Sequence, residues 1–342
     1  MSIKIIKGFW LLTLCSFLSS YITSAVACTR VLVADKNNAV MVGRSMDWNE
    51  DMGTNLIVYP KNVSRSGRDP ESSSENNWMS WSSKYGSIVA TGYEDFTTDG
   101  FNEMGLAAHV LWLEETDYGI RDQSKPGLSI TQWLQYYLDN FKSVEDAVQF
   151  TQSNPMQITP YFHPTTKQWG KLHLVLDDAS GDSAIFESIN GIIHIYHDRA
   201  NTTVTNDPSY EKQLYNLTQY KVFGGTKPLP GTTSSKHRFV RAHFYSQALP
   251  EYTSTRKELA GILGILNNVA YPYSTKNTSV TIWRVVSDLT NKIYYFQSSE
   301  NQNLISVRLD QFDLNQNTIK KLDLVNHPEY AGDMSDKFQV IG

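Results

Sequence analysis

Two cysteines occur in the chain, Cys15 and Cys28, and only the second lies where it could do chemistry. The residues ahead of it are laid out like an export signal. Lys4 and Lys7 stand in front, an apolar stretch runs from Phe9 to Leu18, and Ala25-Val26-Ala27 puts small residues where a signal peptidase accepts them. The apolar part is too short to span a bilayer as a helix. Cleavage after Ala27 leaves a chain of residues 28–342 that begins with its sole thiol, so an internal disulfide is excluded. A leading cysteine carries a thiol and a free α-amine on one residue. With ordinary pKa values of about 8.5 and about 8, modest shifts yield a thiolate and a base near neutrality, without a histidine. Such a group attacks a carbonyl. It needs a cation beside the sulfur, a carboxylate to orient the amine, and donors aimed at the developing oxyanion. A lipid anchor is the competing use of Cys28, because Ala-Val-Ala-Cys is an imperfect lipoprotein cleavage site lacking the usual leucine, and at this point both uses stand.

The cation and the carboxylate have candidates in Gly43-Arg44-Ser45-Met46-Asp47-Trp48. From Cys28 the residues alternate through Ala34, turn at Asp35-Lys36-Asn37-Asn38 and alternate again from Ala39 to Arg44, which predicts an antiparallel hairpin at the new N-terminus. A hairpin returns Arg44 and Asp47 to the neighbourhood of Cys28. The plain alternative is an ordinary surface pair.

Further along, the polar stretch Ser64 to Asn77 reads as a surface loop, and strand-like sequence resumes at Ser87-Ile88-Val89-Ala90. Helices are expected over Ile130 to Phe141 and from Ser143, with Asp146 three residues on in the manner of a capping box. Lys171 to Glu187 gives two strands around Asp178–Asp182, and Gly191 to Tyr196 a third. Helical stretches follow at Arg238 to Leu249 and Arg256 to Asn267, then strands at Thr281 to Val286, Lys292 to Gln297 and Leu304 to Arg308. Two batches of strands with helices between them imply layered α/β structure with mainly antiparallel sheets. A hydrophobic content of 40% suits a folded core, and a net charge of −5 without a basic run argues against nucleic acid or anionic membrane as partner. Small molecules are the expected ligands. The eight histidines, among them His109, His173, His194 and His197, form no recognised zinc pattern, and no glycine-rich phosphate loop occurs, so neither metal nor cofactor is expected.

Six blocks occur in order: Cys28-Thr29; Gly43-Arg44-Ser45-Met46-Asp47; Asp99-Gly100-Phe101-Asn102-Glu103-Met104-Gly105-Leu106; Thr205-Asn206-Asp207-Pro208; Leu229-Pro230-Gly231 leading to Arg238-Phe239-Val240-Arg241; and Leu266-Asn267-Asn268-Val269. This series resembles the signature of the choloylglycine hydrolase and penicillin V acylase family over most of the chain from Cys28 onward. The resemblance implies an α+β fold, the four-layer αββα sandwich of N-terminal-nucleophile hydrolases, as a single domain over residues 28–342. It implies that Cys28 attacks an amide carbonyl to give a thioester, with Arg44 near the thiolate and Asp47 holding the α-amine and sulfur. The Asn206 side-chain amide and the Trp112 backbone N–H would form the oxyanion hole, and Arg238 would complete the polar network. A homotetramer, common among relatives, follows from the same likeness, while the expected cleavable export signal implies a periplasmic or secreted location.

Each carried-over residue has a bland competitor. Asn206 lies in Asn-Asp-Pro, a turn signal in its own right; Arg238 could be a solvated residue opening a helix; Asp99 to Leu106 could merely shape a turn. The position of Trp112 carries asparagine in many bile salt hydrolases and tyrosine in some penicillin acylases. With Trp48 it offers two indoles to border a pocket for an apolar acyl group, as in the Gram-negative branch of penicillin V acylases, unless both are ordinary core residues. Penicillin V, acyl-homoserine lactones and conjugated bile salts all present a suitable amide. Two other functions stay open: an amidase of lipid signals of the ceramide or acylethanolamide type, and a lipoprotein that binds ligand and is lipidated at Cys28.

Overall fold

The computed structural model describes residues 28–34, 39–70, 77–93, 96–164, 166–273 and 279–341. The export signal expected over residues 1–27 and the turn at 35–38 lie outside them. Strands and helices are numbered in chain order. A seven-stranded sheet has the order β16 (Thr203–Thr205), β1 (Thr29–Ala34), β2 (Val40–Trp48), β17 (Val280–Asp288), β18 (Ile293–Ser298), β19 (Leu304–Arg308) and β21 (Gly332–Asp333). Its pairs are antiparallel except the last.

The second sheet has nine strands, all paired antiparallel. Their order is β15 (Ile192–His197), β14 (Ser183–Ile189), β13 (Leu172–Asp178), β8 (Leu106–Trp112), β7 (Phe96–Asn102), β6 (Ser87–Gly92), β3 (Leu56–Tyr59), β20 (Ile319–Leu322) and β22 (Gln339–Ile341). Three small ribbons complete the strands: β4 (Ser64–Ser66) with β5 (Ser80–Ser82), β9 (Gly127–Ser129) with β10 (Gln157–Thr159), and β11 (Phe162–His163) with β12 (Gln168–Trp169).

Period-two alternation gives each sheet an inner face, and the two faces meet in one core. Leu32, Val42 and Val285 of the first sheet pack there with Leu56, Ile88, Phe101, Val175 and Ile185 of the second. The outer face of the second sheet is covered by α1 (Ile130–Asn140) and α2 (Val144–Ser153), whose Trp133, Leu134, Tyr137 and Val148 bury against Val89, Ala108, Val110 and Leu174. The outer face of the first is covered by α4 (Ser235–Gln247) and α5 (Thr255–Val269) through Ala242, Leu259, Ile262 and Leu266. The layers therefore run helix, sheet, sheet, helix, as expected of an N-terminal-nucleophile sandwich. A shorter α3 (Tyr210–Leu217) packs beside α4.

Two motif glycines have steric reasons. A Cβ on Gly43 would come within 2.4 Å of the buried Ile262 side chain, so glycine there lets α5 lie close on β2. Gly105 has φ +87° in the turn between β7 and β8, where other residues would be strained. The same turn is held by Asn102, whose Oδ1 accepts from the Met104 and Leu106 N–H groups while its Nδ2 donates to the Leu138 and Phe141 carbonyls at the end of α1. One expectation is corrected: the stretch from Ser64, read as loop, begins with strand β4, because Ser64–Ser66 finds a partner in Ser80–Ser82.

Candidate active site

Cys28 immediately precedes β1, is 2% exposed, and lies at the wall of a cavity of about 290 Å³. The hairpin brings β2 alongside with Thr29 opposite Ser45 and Arg30 opposite Arg44. Arg44 and Met46 therefore point into the same inner layer as Cys28. Arg44 Nη2 lies 3.6 Å from the Cys28 sulfur, and the Met46 sulfur lies 3.7 Å from it. Burial pushes the Cys28 thiol up; Arg44 opposes this, Asp47 adds to it, and the Asp47 backbone N–H and Arg238 pull it down.

Arg44 is itself fixed by an opening in the facing sheet. Pairing between β7 and β8 reaches Asp99 opposite His109 and goes no further toward Trp112. Beyond that point two carbonyls lack strand partners, and the guanidinium takes both: Nη1 donates to Thr98 at 3.0 Å and Nη2 to Val110 at 2.6 Å. Nη1 is also 3.5 Å from Asp99 Oδ2. The same divergence affects Trp112. Leu113 N–H donates to the Lys171 carbonyl, so alternation turns the Trp112 N–H away from β13 and toward the gap that Arg44 occupies.

Asp47 and Arg238 form a fully buried ion pair at 3.0 Å. The other Asp47 oxygen accepts from Thr281 Oγ1 at 2.5 Å. Burial pushes the Asp47 carboxyl up, and Arg238, Thr281, Arg284 and Arg44 oppose it. Arg238 enters from the first turn of α4 and also donates to the Thr29 hydroxyl and, at 3.0 Å, to the Thr233 carbonyl. Asn206 follows edge strand β16, which pairs with β1 in the register Thr29 opposite Thr205. That register sets its Oδ1 2.5 Å from the Cys28 nitrogen, which donates to it as a peptide N–H because residue 27 precedes it.

Arg44, Asp47, Asn206 and Arg238 are each 0% exposed, which removes the surface-pair reading of Arg44 and Asp47 and the solvated reading of Arg238. Asp47 meets Cys28 through its backbone N–H, while its carboxylate serves Arg238 and Thr281.

The rest of the cavity is largely apolar. Trp48 and Trp112 face one another at 5.8 Å, tilted by 60°, and line it with Met52, Phe96, Ile130 and Leu172. Both indoles are half-buried wall residues rather than core. Trp48 Nε1 donates to the Tyr93 hydroxyl at 2.7 Å, and that hydroxyl donates to Glu50. Tyr93 and His163, both on the cavity wall, lie with ring centroids 4.3 Å apart and planes tilted by 47°.

Sequence reasoning missed several residues that the structure assembles here. Thr281 had no signal, being a lone hydroxyl far along the chain on β17. Asp99 lies in a quoted motif, yet nothing in that motif announces its contact with His109 at 2.6 Å. Glu145, Asp182 and His197 come within 4.8 Å of one another, but none of the three lines the cavity.

A sequence model of the linear amide C–N hydrolases, choloylglycine hydrolase family, matches residues 28–322. The chain is 36% identical to a penicillin V acylase of Pectobacterium atrosepticum, across 92% of this chain and 90% of the relative. It is 24% identical to a bile salt hydrolase/transferase of Clostridium perfringens, across 86% and 95%. The solved structure of a penicillin V acylase from Agrobacterium tumefaciens superposes with a TM-score of 0.82 at 42% identity, covering 92% of this chain and 98% of that one.

Proposed function

We propose, because this chain belongs to the choloylglycine hydrolase family of linear amide C–N hydrolases, in its penicillin V acylase-like branch, that it is an exported acylase cleaving amides with a flat or extended apolar acyl group. The enzyme hydrolyses small secondary amides through a buried cysteine. In our reading, removal of residues 1–27 frees the Cys28 α-amine, which takes the thiol proton while the sulfur attacks the amide carbonyl. The oxyanion lies between the Asn206 side-chain amide and the Trp112 N–H. Collapse passes the proton to the leaving amine and leaves a thioester, which water then hydrolyses with the amine as base. Arg44 balances the thiolate charge, and Arg238 holds Asp47 beside it.

The observation that carries this reading is the contact of Arg44 with the Cys28 sulfur at the wall of an apolar cavity. Trp48 and Trp112 suit a phenoxyacetyl or fatty acyl group, whose burial is worth about 25 cal/mol per Å². Penicillin V and long-chain acyl-homoserine lactones are thus favoured over conjugated bile salts. The match from Cys28 onward supports export and cleavage at that residue.

Hydrolysis rates on penicillin V, a long-chain acyl-homoserine lactone, a glycine-conjugated bile salt and a ceramide rank the substrates. Fastest turnover of the ceramide would replace this reading with the lipid-signal amidase. Intact mass of the exported protein tests the nucleophile: a diacylglyceryl adduct on Cys28 would make the protein a lipoprotein instead. Homotetrameric assembly belongs to the same reading and is tested by light scattering.

A further inference from the structure

Behind Arg44 lies a buried chain of charge that the proposed reaction does not use. Arg30 and Arg44, direct partners across β1 and β2, point side by side into the layer between the sheets. From the facing sheet come Asp99 on β7, His109 on β8 and Asp177 on β13, all 0% exposed. Asp177 is held by both ends of the Arg30 guanidinium. His109 stands between the carboxylates, with Nδ1 2.6 Å from Asp99 Oδ2 and Nε2 3.5 Å from Asp177 Oδ2, the latter an ion-pair separation without a hydrogen bond. Tyr294 on β18 donates to the other Asp99 oxygen at 2.8 Å.

The decisive comparison is at one atom. Asp99 Oδ2 lies 2.6 Å from His109 and 3.5 Å from Arg44, so the imidazole holds the oxygen that would otherwise belong to the guanidinium. We propose that His109 is a positioning residue for the nucleophile. As an imidazolium between Asp99 and Asp177, it draws the Asp99 carboxylate off Arg44 and leaves the guanidinium charge to the Cys28 sulfur.

The charges facing the ring from every packed strand favour that form: Asp99 and Asp177 beside it, balanced by Arg44 and Arg30 on the opposite sheet, with Tyr294 neutral. Burial disfavours a charged ring, but the two aspartates outweigh it and push His109 up. With His109 protonated the group carries one net positive charge beside the sulfur; with a neutral residue there it carries none. The inference rests on Cys28 being the nucleophile.

The test is the pH dependence of Cys28 alkylation by iodoacetamide in the processed enzyme and in His109→Gln, alongside penicillin V hydrolysis. Removing the charge should raise the alkylation midpoint by about one pH unit, slowing alkylation and kcat/KM about tenfold at pH 7, with recovery at higher pH. A purely structural role would lower thermal stability without moving the midpoint, and coincident midpoints would overturn the proposal. Should His109→Gln fail to fold, the ¹⁵N shifts of the wild-type ring at pH 7 decide: both nitrogens protonated supports the proposal, a neutral ring overturns it. Wild-type enzyme that still hydrolyses penicillin V after complete Cys28 alkylation would instead sink the nucleophile assignment.

Discussion

Cys28 occupies a site where burial and charge pull its sulfur in opposite directions, so its packing and its reactivity can be separated by mutation. Cys28→Ala should abolish turnover, leave circular dichroism unchanged and cost only about 1 kcal/mol of stability, since a small buried thiol adds little to a core of this size. Denaturant melts together with penicillin V assays check both halves. His109 permits a different prediction, from linkage. Its pKa in the folded protein is raised above the unfolded value of about 6.5, so the stability it contributes is complete below that pH and is lost as pH rises through the folded value. Wild type should therefore lose more stability than His109→Gln on going from pH 6 to alkaline pH; parallel curves would contradict the raised value. In the candidate site, the proximity of Cys28, Arg44 and Asp47 was legible from local sequence because one hairpin joins them. Asn206 and Arg238 were legible only through family likeness, and Thr281, Tyr294 and the Asp99–His109 contact were not, since their proximity arises from strands far apart in the chain.

The elements differ in how openly their residues announce them. The first hairpin, α1 and α5 carry clear period-two or helical patterning, and the strands at Leu172–Asp178 and Ser183–Ile189 flank an obvious turn. By contrast, β16 has three residues and α3 eight, too short for a period to emerge, and β16 is a strand only because β1 lies beside it. Two substitutions test the joints between elements. Gly43→Val would drive a side chain into Ile262 and lift α5 from β2, at a cost of about 1–3 kcal/mol. That loss should appear as a lower urea midpoint, and an unchanged midpoint would mean that the helix has room. Ser143→Ala removes the hydroxyl that accepts from the Asp146 N–H at the start of α2. Here the expected loss is about 1 kcal/mol with kcat/KM intact, because α2 covers the outer face of the second sheet and does not line the cavity.

For the molecule as a whole, processing and folding bear on the same atom. In the proposed mechanism the nitrogen that acts as base is a peptide N–H as long as residue 27 precedes it, and as such it donates to Asn206. A chain retaining residues 1–27 should fold yet show no hydrolysis, whereas the same preparation cut at Cys28 should gain full activity; equal rates before and after cutting would exclude the amine from the mechanism. The pairing of Arg30 with Arg44 across neighbouring strands has a broader consequence. Like charges set side by side repel, and each half of the sandwich taken alone would hide an unbalanced sign on the surface it must dry. Only when the two halves close do the two guanidiniums meet the carboxylates, so desolvation of the interior and neutralisation of its remaining charge are one event. The sandwich thus has a built-in check on registry: a slip between halves would strand an ion in oil, and the alignment that avoids this is the one that delivers a guanidinium to sulfur.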